Sequence, residues 1–402
     1  QAIWDYLDGG GATDGVDSSN AEIRSLDFAT LDGALYVAWA EPSGPDVIRV
    51  SRYDGSGSWT FIDDGGLSVD EDTGNFSVVS SPYSQRVTIV PFQQKLYVSW
   101  VEDEEIEVPT TQMQVAVYDP SASADGWKLV DGNPVGGLRF STYDASSQGT
   151  LAVVGDALFA VWVEPNGIDL LRAAKYNGND GSPAWTNLGG ILNYNQDTSV
   201  ELPDAMEFAG DLVVVWEEAI DSGLRAKSYD PGTDTWSQFD SGSLDHASGT
   251  IDFPRLTTDS DSLYLFWTET NGSDVRQLRA RVHNGSSWNT IDGNQDAGLN
   301  YNSGQFASWA PAPAVLNDQV YVAFVESGSS GIDQLRVLAF GGDAANPEWQ
   351  FVDGAGTTGL NVNAADYDAY YPAAIGHDET LVVGWAEQPG VVDTNLRVIR
   401  GR

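Results

Sequence analysis

Large apolar residues alternate with mostly small ones through Leu35-Tyr36-Val37-Ala38-Trp39-Ala40-Glu41. Alternation with period two over seven residues predicts a buried strand. The same stretch returns at 96–102, 158–164, 212–218, 263–269, 320–326 and 381–387. Every copy ends in aromatic-x-Glu, with Trp as the aromatic six times and Phe324 once. The intervals between successive Glu residues are 61, 62, 54, 51, 57 and 61, which is the spacing of a repeat architecture.

Three further segments recur around this strand. One opens with a second Trp series, Trp4, Trp59, Trp127, Trp185, Trp236, Trp288 and Trp349. Another ends in tight-turn dipeptides at Tyr53-Asp54, Tyr118-Asp119, Tyr176-Asn177, Tyr229-Asp230 and His283-Asn284, with Phe340-Gly341 in the same place. A short apolar run precedes each aromatic-x-Glu strand, and in four copies it starts at Pro203, Pro254, Pro311 or Pro372, fifteen residues before the Glu. Each unit therefore reads as four strands, a to d, with b the aromatic-x-Glu strand.

Seven such units predict an all-β fold, a seven-bladed β-propeller of four-stranded antiparallel blades. The expected blades are 22–64, 83–132, 148–190, 202–240, 253–293, 310–354 and 371–402 plus 3–9, in one domain over residues 1–402. Residues 3–9 carry a Trp segment with no a, b or c before it, and the last unit stops at strand c. The N-terminal strand is thus expected to complete the last blade, closing the array. The long d–a segments and the b–c loops are expected on one face.

The seven Glu residues are matched in strand c by Arg49, Arg172, Arg225, Arg279, Arg336 and Arg397, with Gln114 in blade two. Glu and Arg on adjoining strands predict a structural ion-pair ladder, since buried charge must be paired. Residues repeated once per blade build the fold, so function is sought where the copies differ. The position seventeen residues before each Glu, expected at the channel mouth, reads Arg24, Gln85, Ser147, Glu201, Asp252, Trp309 and Tyr370. Loop aromatics nearby include Tyr83, Tyr143, Tyr194, Tyr301, Phe306, Tyr367 and Tyr371. Aromatic faces with a few polar groups suit sugars and other polar organic ligands, which makes Trp309, Tyr370, Tyr371, Arg24, Gln85, Glu201 and Asp252 the candidate ligand site. Glu201 and Asp252 fall on successive blades and form the candidate catalytic pair of a hydrolase or lyase.

Charge changes the list of partners. With 59 acidic and 19 basic residues the net charge is −40, which argues against nucleic acid, because binding it requires Lys or Arg to displace counterions. Asp70 and Asp72 open a segment with the first residues of a calcium loop, and Asp8, Asp14, Asp17 and Glu22 form a second acidic stretch. No apolar run is long enough to span a membrane. Cysteine is absent, and no zinc, P-loop, nucleophile-elbow or dinucleotide motif occurs. The chain starts at Gln1 without an apolar leader, so either a signal peptide has been removed or the sequence is a trimmed piece; export is the expectation, because an Asp-rich, cysteine-free, turn-rich β repeat suits it. In a eukaryotic secretory pathway Asn75, Asn271 and Asn284 would head glycosylation sequons.

The combined pattern Trp-x-x-(Leu/Ile/Val)-(Asp/Gly)-Gly, Leu-Asn (Leu192-Asn193, Leu299-Asn300, Leu360-Asn361), Pro, Leu-x-Val-x-Trp-x-Glu and Leu-Arg-x-x-x-Tyr resembles a repeat of secreted bacterial β-propellers. The resemblance covers nearly the whole chain and implies export with a binding or surface role. The c–d turns, Tyr229-Asp230-Pro231-Gly232 through Trp236 above all, also resemble the Asp-box of sialidases, which implies a structural role opposite a ligand face. The expected function is a secreted, non-enzymatic propeller that binds glycans or other extracellular ligands or self-assembles, with calcium as a candidate ion. The alternative is a polysaccharide hydrolase or lyase.

Overall fold

The computed structural model describes residues 3–10, 15–17, 22–41, 47–63, 65–67, 69–70, 75–76, 86–103, 111–122, 126–132, 137–138, 148–165, 167–218, 223–246, 249–293, 298–302, 304, 310–328, 330–354, 359–388 and 394–402. They form seven four-stranded antiparallel sheets, the blades of a seven-bladed β-propeller, and no helix. The closing strand is where the pattern placed it: Trp4–Tyr6 pairs with Asn395–Gly401, with Trp4 opposite Gly401 and Tyr6 opposite Ile399. The chain divides into two compact units, Glu22–Ser222 with Ala226–Phe239, and Gln1–Ala21 with Gly223–Arg225 and Asp240–Arg402.

Two tryptophans per blade do different work. The strand-b Trp residues and Phe324 are buried to 1% exposure or less, so their indoles supply the bulk of each blade core. The strand-d Trp residues lie half-buried against the strand-c aromatic, with ring centroids 4.9–5.2 Å apart in the first six blades. Their indole N–H groups reach the preceding blade: Trp127 donates to Ile62 O at 2.6 Å, Trp185 to Val130 O at 2.7 Å, and Trp349 to Ile291 O at 2.7 Å. Trp4 does the same to Val352 O at 3.2 Å, so the N-terminal strand enters the repeat fully. In the turn that joins strands c and d beside these rings, Asp54, Asp119, Asp230 and Asp343 each accept backbone N–H bonds, the structural role that the Asp-box likeness implied.

The ion-pair ladder exists, but Glu is seldom the partner. Arg49, Arg225, Arg279 and Arg336 pair with Asp63, Asp240, Asp292 and Asp353, the residues four places after each strand-d Trp, at 2.5–3.0 Å. Arg397 pairs with Asp8 of the N-terminal segment at 3.1 Å, with Glu387 farther off at 3.6 Å. Register explains the correction: Arg49 stands opposite Trp39, and Glu41 stands opposite Val47, so strand d offers the nearer carboxylate. Blade 3 has Gly189 where the other blades have this Asp, and there Arg172 does pair with Glu164, at 2.7 Å.

The freed Glu residues organise the d–a loops. Glu218 accepts the Tyr194 N–H at 2.9 Å, the Asn195 N–H, the Thr198 hydroxyl at 3.0 Å and the Trp216 indole at 3.0 Å. Glu326 holds Tyr301 N and Asn302 N at 3.0 and 2.8 Å. The Asn of each Leu-Asn element continues this work, with Asn193, Asn300 and Asn361 accepting the N–H of Leu171, Leu278 and Leu335, each at 2.8 Å. Asp17 fills the same role in the last blade, toward Leu396 N at 2.7 Å. The acidic stretch around Asp8 and Asp17 is therefore built into the closing blade.

Candidate functional site

Among the described residues, the candidate positions Arg24, Glu201, Asp252 and Tyr370 lie near the start of strand a, each beside a break in its pairing. In blades 1, 4, 5 and 7 the a–b register slips between Arg24 and Leu26, Glu201 and Asp204, Asp252 and Arg255, and Tyr370 and Ala373. These are β-bulges, which bend a strand and re-aim its side chains. Pro203, Pro254 and Pro372 fall inside three of them, where the ladder is broken and the missing N–H costs nothing. Strand a consequently begins before the proline, at Val200, Ile251 and Asp368 in those blades, rather than after it. Ser25, Leu202, Phe253 and Tyr371 take φ of 49°, 52°, 56° and 49°, a left-handed conformation that costs non-glycine residues about 1–2 kcal/mol each.

Within the first unit, strand a of blade 2 lies against those of blades 1 and 3, and strand a of blade 3 against that of blade 4. The residue after the expected one reaches along this wall. Ser25 Oγ accepts Val87 N–H at 2.8 Å, Gln148 Oε1 accepts Leu202 N–H, and Arg86 donates to Pro203 O at 2.7 Å and Asp204 Oδ1 at 2.6 Å. Arg86 thus spans from blade 2 to blade 4, past blade 3. Asp27 of blade 1 lies in the field of both Arg86 and Asp204, and it accepts Ile89 N–H at 3.0 Å and Phe28 N–H at 2.9 Å. Burial pushes the Asp27 carboxyl up to about 6, against the lowering effect of those N–H groups and Arg86.

Of the expected residues in this unit, Arg24 pairs with Glu22 at 3.0 Å in a largely exposed contact. Glu201 is exposed and stands opposite Glu217 in the a–b register. Gln85 lies outside the described residues, as do Ser147, Tyr83 and Tyr143. The Asp70 backbone forms a short strand pair with Asn75; Asp72 and the side chain of Asp70 lie outside the described residues. Among the described residues no group of three or more His, Asp or Glu could hold a metal ion.

In the other unit, Asp252 is paired with Arg276 at 2.7 Å, and burial, opposed by Arg276, raises its carboxyl above the usual range. Tyr370 and Tyr371 are half-buried neighbours with ring centroids 6.4 Å apart. The Tyr370 hydroxyl donates to Asp368 at 3.3 Å, and burial together with Asp368 and Asp333 pushes its pKa up to about 12. Trp309 and Phe306 lie outside the described residues.

Among the described residues, two loop aromatics are the most exposed. Tyr194 is 56% exposed and Tyr301 44% exposed, and each directly follows a Leu-Asn element. Their backbones are held by Glu218 and Glu326, and Tyr301 is further braced by Arg336, whose guanidinium carbon lies 4.6 Å from its ring centre. Such a side chain presents an aromatic face while its backbone is already ordered. Arg86, Asp27 and Asp204 escaped the sequence reading, although Asp27 and Asp204 stand where blades 2, 3, 6 and 7 have Thr88, Thr150, Ala312 and Ala373, and Arg86 stands where blades 1, 3 and 4 have Ser25, Gln148 and Leu202.

No protein-family model and no curated protein sequence matches this chain. Solved structures do resemble it in fold. The crystal structure of polysaccharide lyase Uly1 superposes with a TM-score of 0.59 at 10% identity, covering 94% of this chain and 89% of that one. Trypanosoma rangeli sialidase in complex with the inhibitor DANA gives a TM-score of 0.51 at 12% identity, covering 94% of this chain and 55% of that one. The fold is therefore one that glycan-active enzymes also use, and no described helix is long and apolar enough to cross a membrane.

Proposed function

We propose that this chain is a carbohydrate-binding propeller that reads its ligand with the d–a loop face and the bulged starts of strand a. The observation that carries the reading is the placement of Tyr194 and Tyr301, exposed on loops whose backbones the repeat Glu residues hold. Tyrosine offers a flat apolar face with a polar tip at a small entropic cost, the usual way a protein holds a sugar ring. The paired tyrosines at 370 and 371 and the acidic groups around them add hydrogen-bonding capacity of the same kind. The likeness in fold to a polysaccharide lyase and a sialidase supports carbohydrate as the ligand class. Export and an extracellular ligand belong to this reading, as does a structural calcium at the Asp70–Asp72 segment.

Screening the protein on immobilised glycans tests it. Binding should fall roughly tenfold or more in Tyr194→Ala or Tyr301→Ala, and in Trp309→Ala, at unchanged melting temperature. Retained affinity in all three variants would end the proposal. A second reading has one observation of its own: burial raises the Asp252 carboxyl, as a general acid requires. It makes the chain a polysaccharide hydrolase or lyase acting through Glu201 and Asp252. Turnover that persists in the double variant Glu201→Gln, Asp252→Asn would remove it.

A further inference from the structure

The chain has four Asn-Gly steps, at Asn166, Asn177, Asn271 and Asn284. Asparagine followed by glycine is the sequence context in which the next backbone nitrogen can attack the side-chain amide with least hindrance, since glycine carries no Cβ. Asn177 and Asn284 occupy equivalent c–d turns of blades 3 and 5, and in both the following glycine is left-handed, at φ 71° and 85°. The residue before the Asn differs. Blade 3 has Tyr176, whose hydroxyl is bound to Asp180 at 2.9 Å; blade 5 has His283.

That exchange places a base on the reacting nitrogen. Gly285 N–H donates to His283 Nδ1 at 3.2 Å, so this ring nitrogen is the unprotonated one. The imidazole is buried against Trp288, and burial lowers its pKa, which keeps it neutral. The electrophile is also prepared. Asn284 Oδ1 accepts N–H bonds from Ser286 and Ser287, both at 3.1 Å, and these two donors polarise the amide carbonyl. At Asn177, Oδ1 accepts one N–H, from Asn179 at 3.0 Å, and the amide nitrogen is tied to Ser182 O at 2.8 Å. Asn284 and Gly285 are exposed, so water reaches the site.

We propose that Asn284–Gly285 is a self-modifying turn, in which His283 promotes deamidation of Asn284. His283 Nδ1 accepts the Gly285 amide proton while the Gly285 nitrogen bonds to Asn284 Cγ. The tetrahedral oxygen is held by the Ser286 and Ser287 N–H groups. Collapse breaks the Cγ–Nδ2 bond, and ammonia leaves with the proton returned by the imidazole, giving a succinimide. Water then opens the ring at either carbonyl, yielding aspartate or isoaspartate. The product adds a negative charge to the turn, and the isoaspartate form lengthens its backbone by one carbon. The site is independent of the ligand face argued above.

The test uses the whole chain made in a bacterial host, where the Asn284 sequon stays unglycosylated. After incubation at neutral pH and body temperature, peptide mapping follows the amide-to-acid mass change at each Asn-Gly step, with enzymatic methylation to count isoaspartate. Asn284 should convert at least about tenfold faster than Asn177, a modest share of what a positioned base can contribute. His283→Tyr, which installs the residue of blades 1–4, should slow conversion of Asn284 about tenfold while leaving Asn177 unchanged. If that variant fails to fold, His283→Phe repeats the test with the aromatic of blade 6. Equal rates at Asn284 and Asn177 in the unmodified protein would overturn the proposal, and so would an Asn284 rate indifferent to loss of the imidazole in a folded variant.

Discussion

Replacing Glu218 by Ala removes one carboxylate that serves four donors, the backbone N–H groups of Tyr194 and Asn195, the Thr198 hydroxyl and the Trp216 indole. Glu218 is 2% exposed, so water replaces it only if the loop opens. An orphaned buried donor costs about 1–3 kcal/mol, but relaxation of a loop lets several recover together, so the sum is capped near 4 kcal/mol. For 402 residues melting in one step the unfolding entropy is roughly 0.8 kcal/mol per kelvin, which makes the expected shift about 5 °C downward. Glu218→Gln keeps one acceptor oxygen but turns an NH2 group toward donors, and should fall between wild type and Ala. Differential scanning calorimetry reads the shift, and proteolysis near Tyr194 should become faster in the Ala variant. A melting temperature within about 1 °C of wild type would refute the reasoning, because the four contacts would then contribute less than one ordinary hydrogen bond.

Other outcomes follow from the same geometry. Asp27 and Glu387 have carboxyls raised to about 6 and about 7, burial being the main cause in both, so the folded chain keeps protons that the unfolded chain has released. Stability should therefore decline as pH rises from about 4 to about 7, by on the order of 2–3 kcal/mol for each group, and Asp27→Asn or Glu387→Gln should flatten that slope in denaturant titrations. A slope unchanged in both variants would refute this. Gly401 occupies the strand-c position that carries an aromatic in the other blades, and a Cβ there would meet the Trp4 ring at 2.8 Å. Gly401→Ala should destabilise by about 1–3 kcal/mol through overpacking, and unaltered unfolding midpoints would contradict the tight seat of the N-terminal strand. Calcium should raise the melting temperature through the Asp70–Asp72 segment, and Asp72→Ala should abolish the rise; no response to calcium would count against an ion there.

How much could be read without coordinates depended on how local the cause was. Strand b needs only alternation and an aromatic two places before a terminal Glu, all written in seven consecutive residues, and its seven copies specified the number of blades. The closing role of Trp4–Tyr6 was legible because a lone strand-d signature preceded any strand a. Pairing partners were not legible. Arg49 finds Asp63 rather than Glu41 because cross-strand register, a property of two strands together, sets which carboxylate is nearer.

The candidate site shows the same division more sharply. Chain order exposes departures from the repeat, so it singled out Tyr370, Tyr371 and Asp252, and it correctly flagged Tyr194 and Tyr301 as loop aromatics. It could not show the register slips beside Ser25, Leu202, Phe253 and Tyr371, because a bulge is a mismatch between two strands. Nor could it bring Arg86 to Asp204, 118 positions away, or put an imidazole nitrogen 3.2 Å from the Gly285 amide. Periodicity in one dimension determined the fold of this protein; contacts between residues far apart in the chain, or turned toward each other by a single dihedral, were decided only when the chain closed on itself.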